Sequence, residues 1–586
     1  METVSEARKG GAWLVEQPED DVFTPERLSD EHRLMAQTVD EFLDAEVLPN
    51  LERLEAKDWA LARALLRKAG ELGLHGINVP EQYGGLDLDN TASLIVSESI
   101  ARAASFATAY GAHANLCITP VVLFGTEAQK AAYLPKLVSA EWVGAYALSE
   151  SGSGSDALAA RTSATRAPDG SWRLNGEKMW ITNGGFADVI IVFAKVDGEH
   201  FTAFIVERSF PGVSAGTEEH KMGLHGSSTT SILLQDAQVP AGNVLGEIGK
   251  GHKVALNTLN FGRFKLGGMS IGGCRVSIGD AARYAASRRQ FGQPIAAFGA
   301  IRHKLGEMTA RTYAVESLVY RTAGLIEAAL ADPGRQVAQA FEEYAVESSI
   351  AKVAGTETLD YVLDENVQIH GGNGFVKDYS AERYYRDARV NRIFEGTNEI
   401  NRLLIPGMLV RRALKGELPL IAAATQLQDE LLTPGPPAGR GGDAESLAEE
   451  MRLVGSFKKV ALVVVGTAMQ TYGQKLGDEQ EVLGYAADIL IDIYAGESAL
   501  ARARAAAGAA SELAGLHEAA ARCFVSDAAQ RVEHAARSAL AAMAEGDALR
   551  TLLAALRRVL KPAPANTVEL RRRLADATVQ KGRYIF

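Results

Sequence analysis

The run RIFEGTNEI, 392–400, places one carboxylate, Glu395, between Phe394 and a Gly396–Thr397–Asn398 turn. Taken alone, an acid at that point serves the N-terminus of the following helix, with Thr397 or Asn398 as its cap. A carboxylate that the fold buries is more basic than one in water. Two further segments combine turns with hydroxyls and backbone donors: YALSESGSGSD, 146–156, and EKMWITNGG, 177–185. Trp180 offers an aromatic face, Thr182 a hydroxyl beside it, and the Gly/Ser loop its amides, a set that suits a flavin. The plainer reading of the same residues puts Trp180 in the core of a half-buried strand and makes SGSGSD a turn; on these residues alone it is preferred.

NFGR at 260–263, RRQFG at 288–292 and QIHGGNGF at 368–375 are weak signals individually. Arg288 reads equally as a solvated helix charge, and GGNG as a helix terminator. GMSIG, 268–272, matches the G-x-S-x-G pattern of hydrolases, but Ser270 lies within a helical stretch, so close helix packing is the expected explanation. No Walker A loop, HExxH pair or clustered ligand set is present, so neither phosphoryl transfer nor metal-assisted hydrolysis has visible machinery, and no metal is expected.

The elements that must position these residues fall into several units. A chain of 586 residues exceeds what one core organises, and 47% apolar with 23% charged residues is a globular composition. A formal charge of -12 argues against nucleic acid as a partner. Cys117, Cys274 and Cys523 form no CxxC pair, which fits a reducing compartment. The N-terminal run has no apolar core of a secretory leader and is acidic, so a cytoplasmic location is expected. VALVVVGTAM, 460–469, is about half the roughly 20 residues of a membrane span and reads as a core helix, with peripheral membrane docking as the lesser alternative.

Residues 29–145 carry helical periodicity behind a Ser29/Asp30 cap. Residues 146–249 change period: DVIIVFAKV, FTAFIVER and STTSILLQDAQVP are short, β-rich and separated by turns, which predicts an antiparallel sandwich or barrel and disfavours a Rossmann domain. Helical periodicity returns over 250–432, with lengths that suit a four-helix bundle. TPGPPAGRGG, within 433–442, reads as a linker, and 443–586 as an extra helical domain. The fold class is therefore mainly α with a central β domain.

In this order and at these spacings, YALSES, MWITNGG, RRQFG, QIHGGNGF and IFEGTNE resemble the acyl-CoA dehydrogenase family from about residue 30 to about 415. The extra helical domain resembles the extension of its very-long-chain branch. The resemblance implies FAD as cofactor, with Tyr146, Leu148, Ser149, Trp180, Ile181, Thr182, Thr397, Asn398 and Glu399 at its flavin end. Arg288, Gln290, Phe291, Gln368, Ile369, Gly371 and Gly372 are implied to bind the FAD of a neighbouring subunit, hence a homodimer. Ser155, Asn260, Arg263, Phe394 and Gly396 are implied substrate contacts, and Glu395 the catalytic base. Ser149 and Ser151 replace the family's usual Thr and Pro, and Gly299 stands where shorter-chain members often carry glutamine. In some branches the base lies on the NFGR helix; NTLNFGRFKL, 257–266, contains no acid.

The implied function is FAD-dependent α,β-dehydrogenation of a long-chain fatty acyl-CoA to the trans-2-enoyl-CoA in β-oxidation. Electrons would pass to an electron-transfer flavoprotein. The rivals are an acyl-CoA oxidase using oxygen and a non-catalytic assembly protein on the same fold.

Overall fold

A computed structural model describes residues 8–17, 21–432 and 446–586. The linker expected at 433–442 lies outside the described residues. The N-terminal helical unit opens at Asp30–Phe42, where the Ser29 hydroxyl accepts from the His32 amide at 3.2 Å in a capping box. It continues through Trp59–Glu71, Asn90–Ile100, Ala104–Gly111 and Glu127–Val138.

The sheet follows: β1 (Gly144–Ala147), β2 (Ser163–Arg166), β3 (Trp172–Thr182), β4 (Val189–Val196), β5 (His200–Glu207), β6 (Val213–Ala215), β7 (Thr229–Val239) and β8 (Val244–Leu245). The order is β6-β7-β3-β2-β4-β5-β8, with β1 also against β4. Most pairings are antiparallel, as the sequence predicts, but β4 takes β1 and part of β2 as parallel partners. Residues between β1 and β4 allow this, because the chain completes a hairpin before returning beside its starting strand. β4 is apolar throughout for a physical reason: Val189, Ile191 and Phe193 pack on the N-terminal helices, while Ile190, Val192 and Ala194 enter the sheet's own core.

Four long helices form the next unit: Gly251–Ser287, Gly299–Leu330, Ala345–His370 and Asn398–Leu414. Ser270 is buried mid-helix, donating to the Leu266 carbonyl at 2.8 Å, and a Cβ on Gly272 would stand 1.9 Å from the Glu98 carbonyl oxygen. GMSIG is thus a helix-packing seam, as expected.

The last unit comprises Ala448–Tyr472, Gln480–Gly508, Ala514–Met543, Gly546–Val559 and Thr567–Lys581. It shares one hydrophobic core with the bundle. Arg502, 1% exposed, reaches Glu316 Oε2 at 2.5 Å and Glu26 at 2.6 Å, joining extension, bundle and N-terminal segment through one guanidinium. The apolar 460–469 run buries Val460, Ala461 and Val464. Its other side, with Leu462, Val463 and Val465, lines a cavity of ≈ 560 Å³ against Leu420 and Leu427. Two helical stretches, Ala104–Phe124 and Ala448–Asp478, are long and apolar enough to cross a membrane by composition; 67% and 50% of their apolar windows are buried within the protein.

Residues 8–17, which periodicity left unassigned, strap the bundle. Trp13 Nε1 and the Gly11 amide both donate to Glu347 Oε1, at 2.9 and 2.6 Å, and the indole lies 5.1 Å from the Tyr494 ring.

Candidate active site

Glu395 and Gly396 adopt φ of +59° and +78° between the turn at Arg389–Arg392 and the helix Asn398–Leu414. Positive φ is costly for a glutamate and persists only where surroundings enforce it. Thr397 is the N-cap, its hydroxyl accepting from the Ile400 amide at 3.3 Å. The turn aims the carboxylate at the helix Gly251–Ser287, where a Cβ on Gly262 would lie 2.6 Å from Glu395 Oε2. The acid-free NFGR segment is therefore the wall against which the carboxylate rests, and Gly262, which motif reading passed over, leaves the room for it.

Glu395 Oε2 is buried with no hydrogen-bond partner among the described residues. Burial raises the carboxyl to about 7, with Arg263 and Lys352 pulling the other way. Across the site the buried Tyr146 hydroxyl also lacks a partner, and burial together with the Glu395 charge raises its pKa. These two orphaned oxygen atoms mark a polar spot prepared for a bound molecule.

Two cations hold the turn from behind. Arg263 Nε donates to the Glu395 carbonyl at 3.1 Å and Nη1 to Asn260 Oδ1 at 3.0 Å. Lys352 Nζ donates to the Gly396 carbonyl at 2.8 Å and to Asn398 Oδ1 at 2.6 Å. Asn401 Nδ2 adds bonds to the Gly396 and Thr397 carbonyls at 2.8 and 3.0 Å. Two of the implied ligand residues also have partners inside the bundle. The Asn398 amide is engaged inside the bundle with Lys352, Thr356 and Glu357, because its helix starts against Ala345–His370. Arg263 is 4% exposed and binds backbone, so it supports the turn.

On the sheet side, β3 carries a register irregularity between Lys178 and Ile181, and Trp180 sits within it at φ +56°. Such a bulge re-aims a side chain. Trp180 is 58% exposed, which overturns the core reading of that residue. Alternation alone could not show this, since the extra residue breaks the period. Thr182 is half-buried and Ser155 exposed. The Ser149 carbonyl accepts from the Met179 amide at 2.9 Å, and Lys178 Nζ bridges the Leu148 carbonyl and Glu150, at 3.1 and 2.7 Å, fastening the 146–150 strand end beside the Trp180 bulge. Leu148, Ile181 and Ile369 turn their side chains into hydrophobic cores, which leaves their backbone as the part free to face a ligand. His113, another residue the motifs missed, accepts from the Gly144 amide at 2.8 Å and donates to the Leu137 carbonyl at 2.9 Å, fixing β1 to the helices.

The remaining implied residues lie elsewhere. Arg289–Gln290 and Gln293–Pro294 form a hairpin whose tip, Phe291, is 92% exposed, beyond the C-terminus of Gly251–Ser287. Gln368, Gly371 and Gly372 end the helix Ala345–His370 at that same pole, where Tyr284 and His370 stack at 4.1 Å. At about 1.5 Å per residue, Arg288 is about 39 Å along the helix from Gly262. One chain therefore presents two separated surfaces, one around Glu395 and one around Phe291.

A helical unit, a β domain and a bundle, with a buried base on the bundle and an exposed indole on the sheet, are the frame of an acyl-CoA dehydrogenase. The family profiles agree: acyl-CoA dehydrogenase N-terminal domain over residues 29–141, middle domain over 145–237, and C-terminal domains over 249–408 and 456–558. A probable acyl-CoA dehydrogenase of Bacillus subtilis is 47% identical across 99% of both chains. The very long-chain specific acyl-CoA dehydrogenase of Rattus norvegicus is 41% identical over 57% of this chain and 51% of its own. The crystal structure of an acyl-CoA dehydrogenase complexed with FAD from Bacillus anthracis superposes with TM-score 0.97 at 48% identity, covering 99% of this chain and all of that one. The chain belongs to the acyl-CoA dehydrogenase family and is an FAD enzyme.

The residues present fit that cofactor. The bulged, exposed Trp180 gives a ring face, and the buried Tyr146 hydroxyl is left unpartnered within reach of the Glu395 charge.

Proposed function

We propose that this enzyme dehydrogenates long-chain fatty acyl-CoA thioesters at Cα–Cβ, giving the trans-2-enoyl-CoA within β-oxidation. The observation that carries the reading is Glu395: a buried carboxyl raised to about 7, one oxygen unpartnered, held in a strained turn. A carboxylate at its ordinary acidity is a poor match for an α-proton, and desolvation narrows the gap. Glu395 takes the α-proton, and its own backbone N–H is the donor that the family resemblance assigns to the thioester carbonyl, while Arg263 and Lys352 hold the two carbonyls that follow it. Bound FAD supplies the acceptor for the hydride that leaves the β-carbon.

The separation of the Phe291 surface from Glu395 supports a homodimer in which each FAD site takes its second half from the partner. An exposed phenylalanine at a hairpin tip is suited to such a contact. Reduced cofactor would be reoxidised by an electron-transfer flavoprotein. Anaerobic addition of acyl-CoAs of increasing length, followed by electron-transfer flavoprotein, tests the reading: long chains bleach the flavin fastest and the partner restores its colour. No bleaching by any acyl-CoA would overturn it, and rapid peroxide formation in air would favour the oxidase.

A further inference from the structure

Lys352 is fully buried in the middle of Ala345–His370, a stretch that sequence periodicity treats as ordinary bundle helix. Its ammonium donates to the Gly396 carbonyl and to Asn398 Oδ1, at 2.8 and 2.6 Å. Asn398 is fixed in turn by Thr356 and Glu357, one turn further along the same helix. Arg263 holds the preceding carbonyl, that of Glu395, from the opposite side. Consecutive carbonyls of a positive-φ turn are thus gripped by two cations on two helices. Hydrogen bonding alone does not explain the choice of lysine, since a neutral amide could donate here without the cost of burying a charge.

We propose that Lys352 is the positioning residue of the catalytic base, locking the Glu395–Asn398 turn and supplying positive charge that keeps the Glu395 carboxylate available at working pH. The proposal rests on Glu395 being the base. The charged groups facing Glu395 are Arg263 and Lys352, with the Tyr146 hydroxyl across the site. Those facing Lys352 are Glu395, Arg263, Glu357 and Glu399. Burial lowers Lys352 to about 8, opposed first by Glu395, so it is a cation where Glu395, at about 7, ionises. Removing that charge leaves Arg263 as the single opposing cation among these groups, and Glu395 then ionises only at higher pH.

The test uses FAD-loaded enzyme with palmitoyl-CoA and ferrocenium as acceptor, following kcat and KM from about pH 6 to about pH 9. Lys352→Met and Lys352→Gln are expected to retain FAD and to move the acidic limb of kcat/KM, which reports the free enzyme, upward by about one pH unit or more. KM should change little, because Lys352 meets backbone and Asn398. Lys352→Arg, which keeps the charge, should leave the limb near that of the parent. Should Lys352→Met fail to hold FAD, Lys352→Gln, which retains a donor, carries the test. Limbs in the neutral variants coincident with the parent's overturn the proposal. Glu395→Gln in the same assay separates the two ideas: a nearly active Glu395→Gln overturns the base assignment, whereas an inactive one with unmoved Lys352 limbs overturns only the role of Lys352.

Discussion

Replacing Gly262 by alanine should separate stability from catalysis. The added Cβ would sit 2.6 Å from Glu395 Oε2 and 2.8 Å from its Cδ, whereas ordinary contacts begin at 3.4 Å. The carboxylate must therefore retreat by about 0.8 Å, and it can, since it is the far end of a flexible side chain. Misplacement on that scale costs a reaction on the order of 100-fold, or about 2.7 kcal/mol in the barrier. The helix itself gains, because alanine is favoured over glycine in helix interiors by up to about 1 kcal/mol. Steady-state kinetics with palmitoyl-CoA should show kcat/KM lower by about two orders of magnitude, with flavin content and thermal midpoint at or above those of the parent. Activity within threefold of the parent would refute the placement of Glu395 against Gly262.

Gly272→Ala is the contrasting case: its Cβ meets the Glu98 backbone at 1.9 Å, so differential scanning calorimetry should show destabilisation of about 3 kcal/mol or more. Between pH 4.5 and about 7 folded Glu395 holds a proton that the unfolded chain has released, so its contribution to stability is full at low pH and lost as pH rises through about 7. Glu395→Gln should accordingly be more stable than the parent at pH 8 by about 3 kcal/mol, with the difference vanishing below about pH 4.5, in denaturant titrations at matched flavin content. Arg502→Met leaves Glu316 and Glu26 without that shared cation; a loss of about 3–5 kcal/mol and protease cleavage near the extension are expected. Phe291→Ala should leave each protomer folded but weaken FAD retention and dimerisation, read by sedimentation and flavin absorbance.

The unit order, the Ser29 cap and the turn carrying Glu395 were legible in the sequence because each depends on neighbours within a few residues, and the packing role of GMSIG because its small residues lie within a helical stretch. What was not legible depends on distant partners. Trp180 reads as a strand residue until the bulge against β7 turns it outward. Gly262 and Lys352 are unremarkable in helical runs; they become part of the site only when residues 395–398 fold onto them. Asn260 and Arg263 carried a signal through NFGR, but only geometry shows Arg263 holding the Glu395 carbonyl. Likewise the 8–17 strap has no periodicity, and its partner Glu347 lies more than half the chain away.

The central claim is that Glu395 removes the proton that starts the reaction. Anaerobic stopped-flow measurement of flavin bleaching, comparing the parent with Glu395→Gln at equal FAD content and saturating palmitoyl-CoA, tests it most directly. The account predicts bleaching slower by about 10³-fold or more with acyl-CoA binding retained; bleaching within tenfold of the parent rate would contradict it.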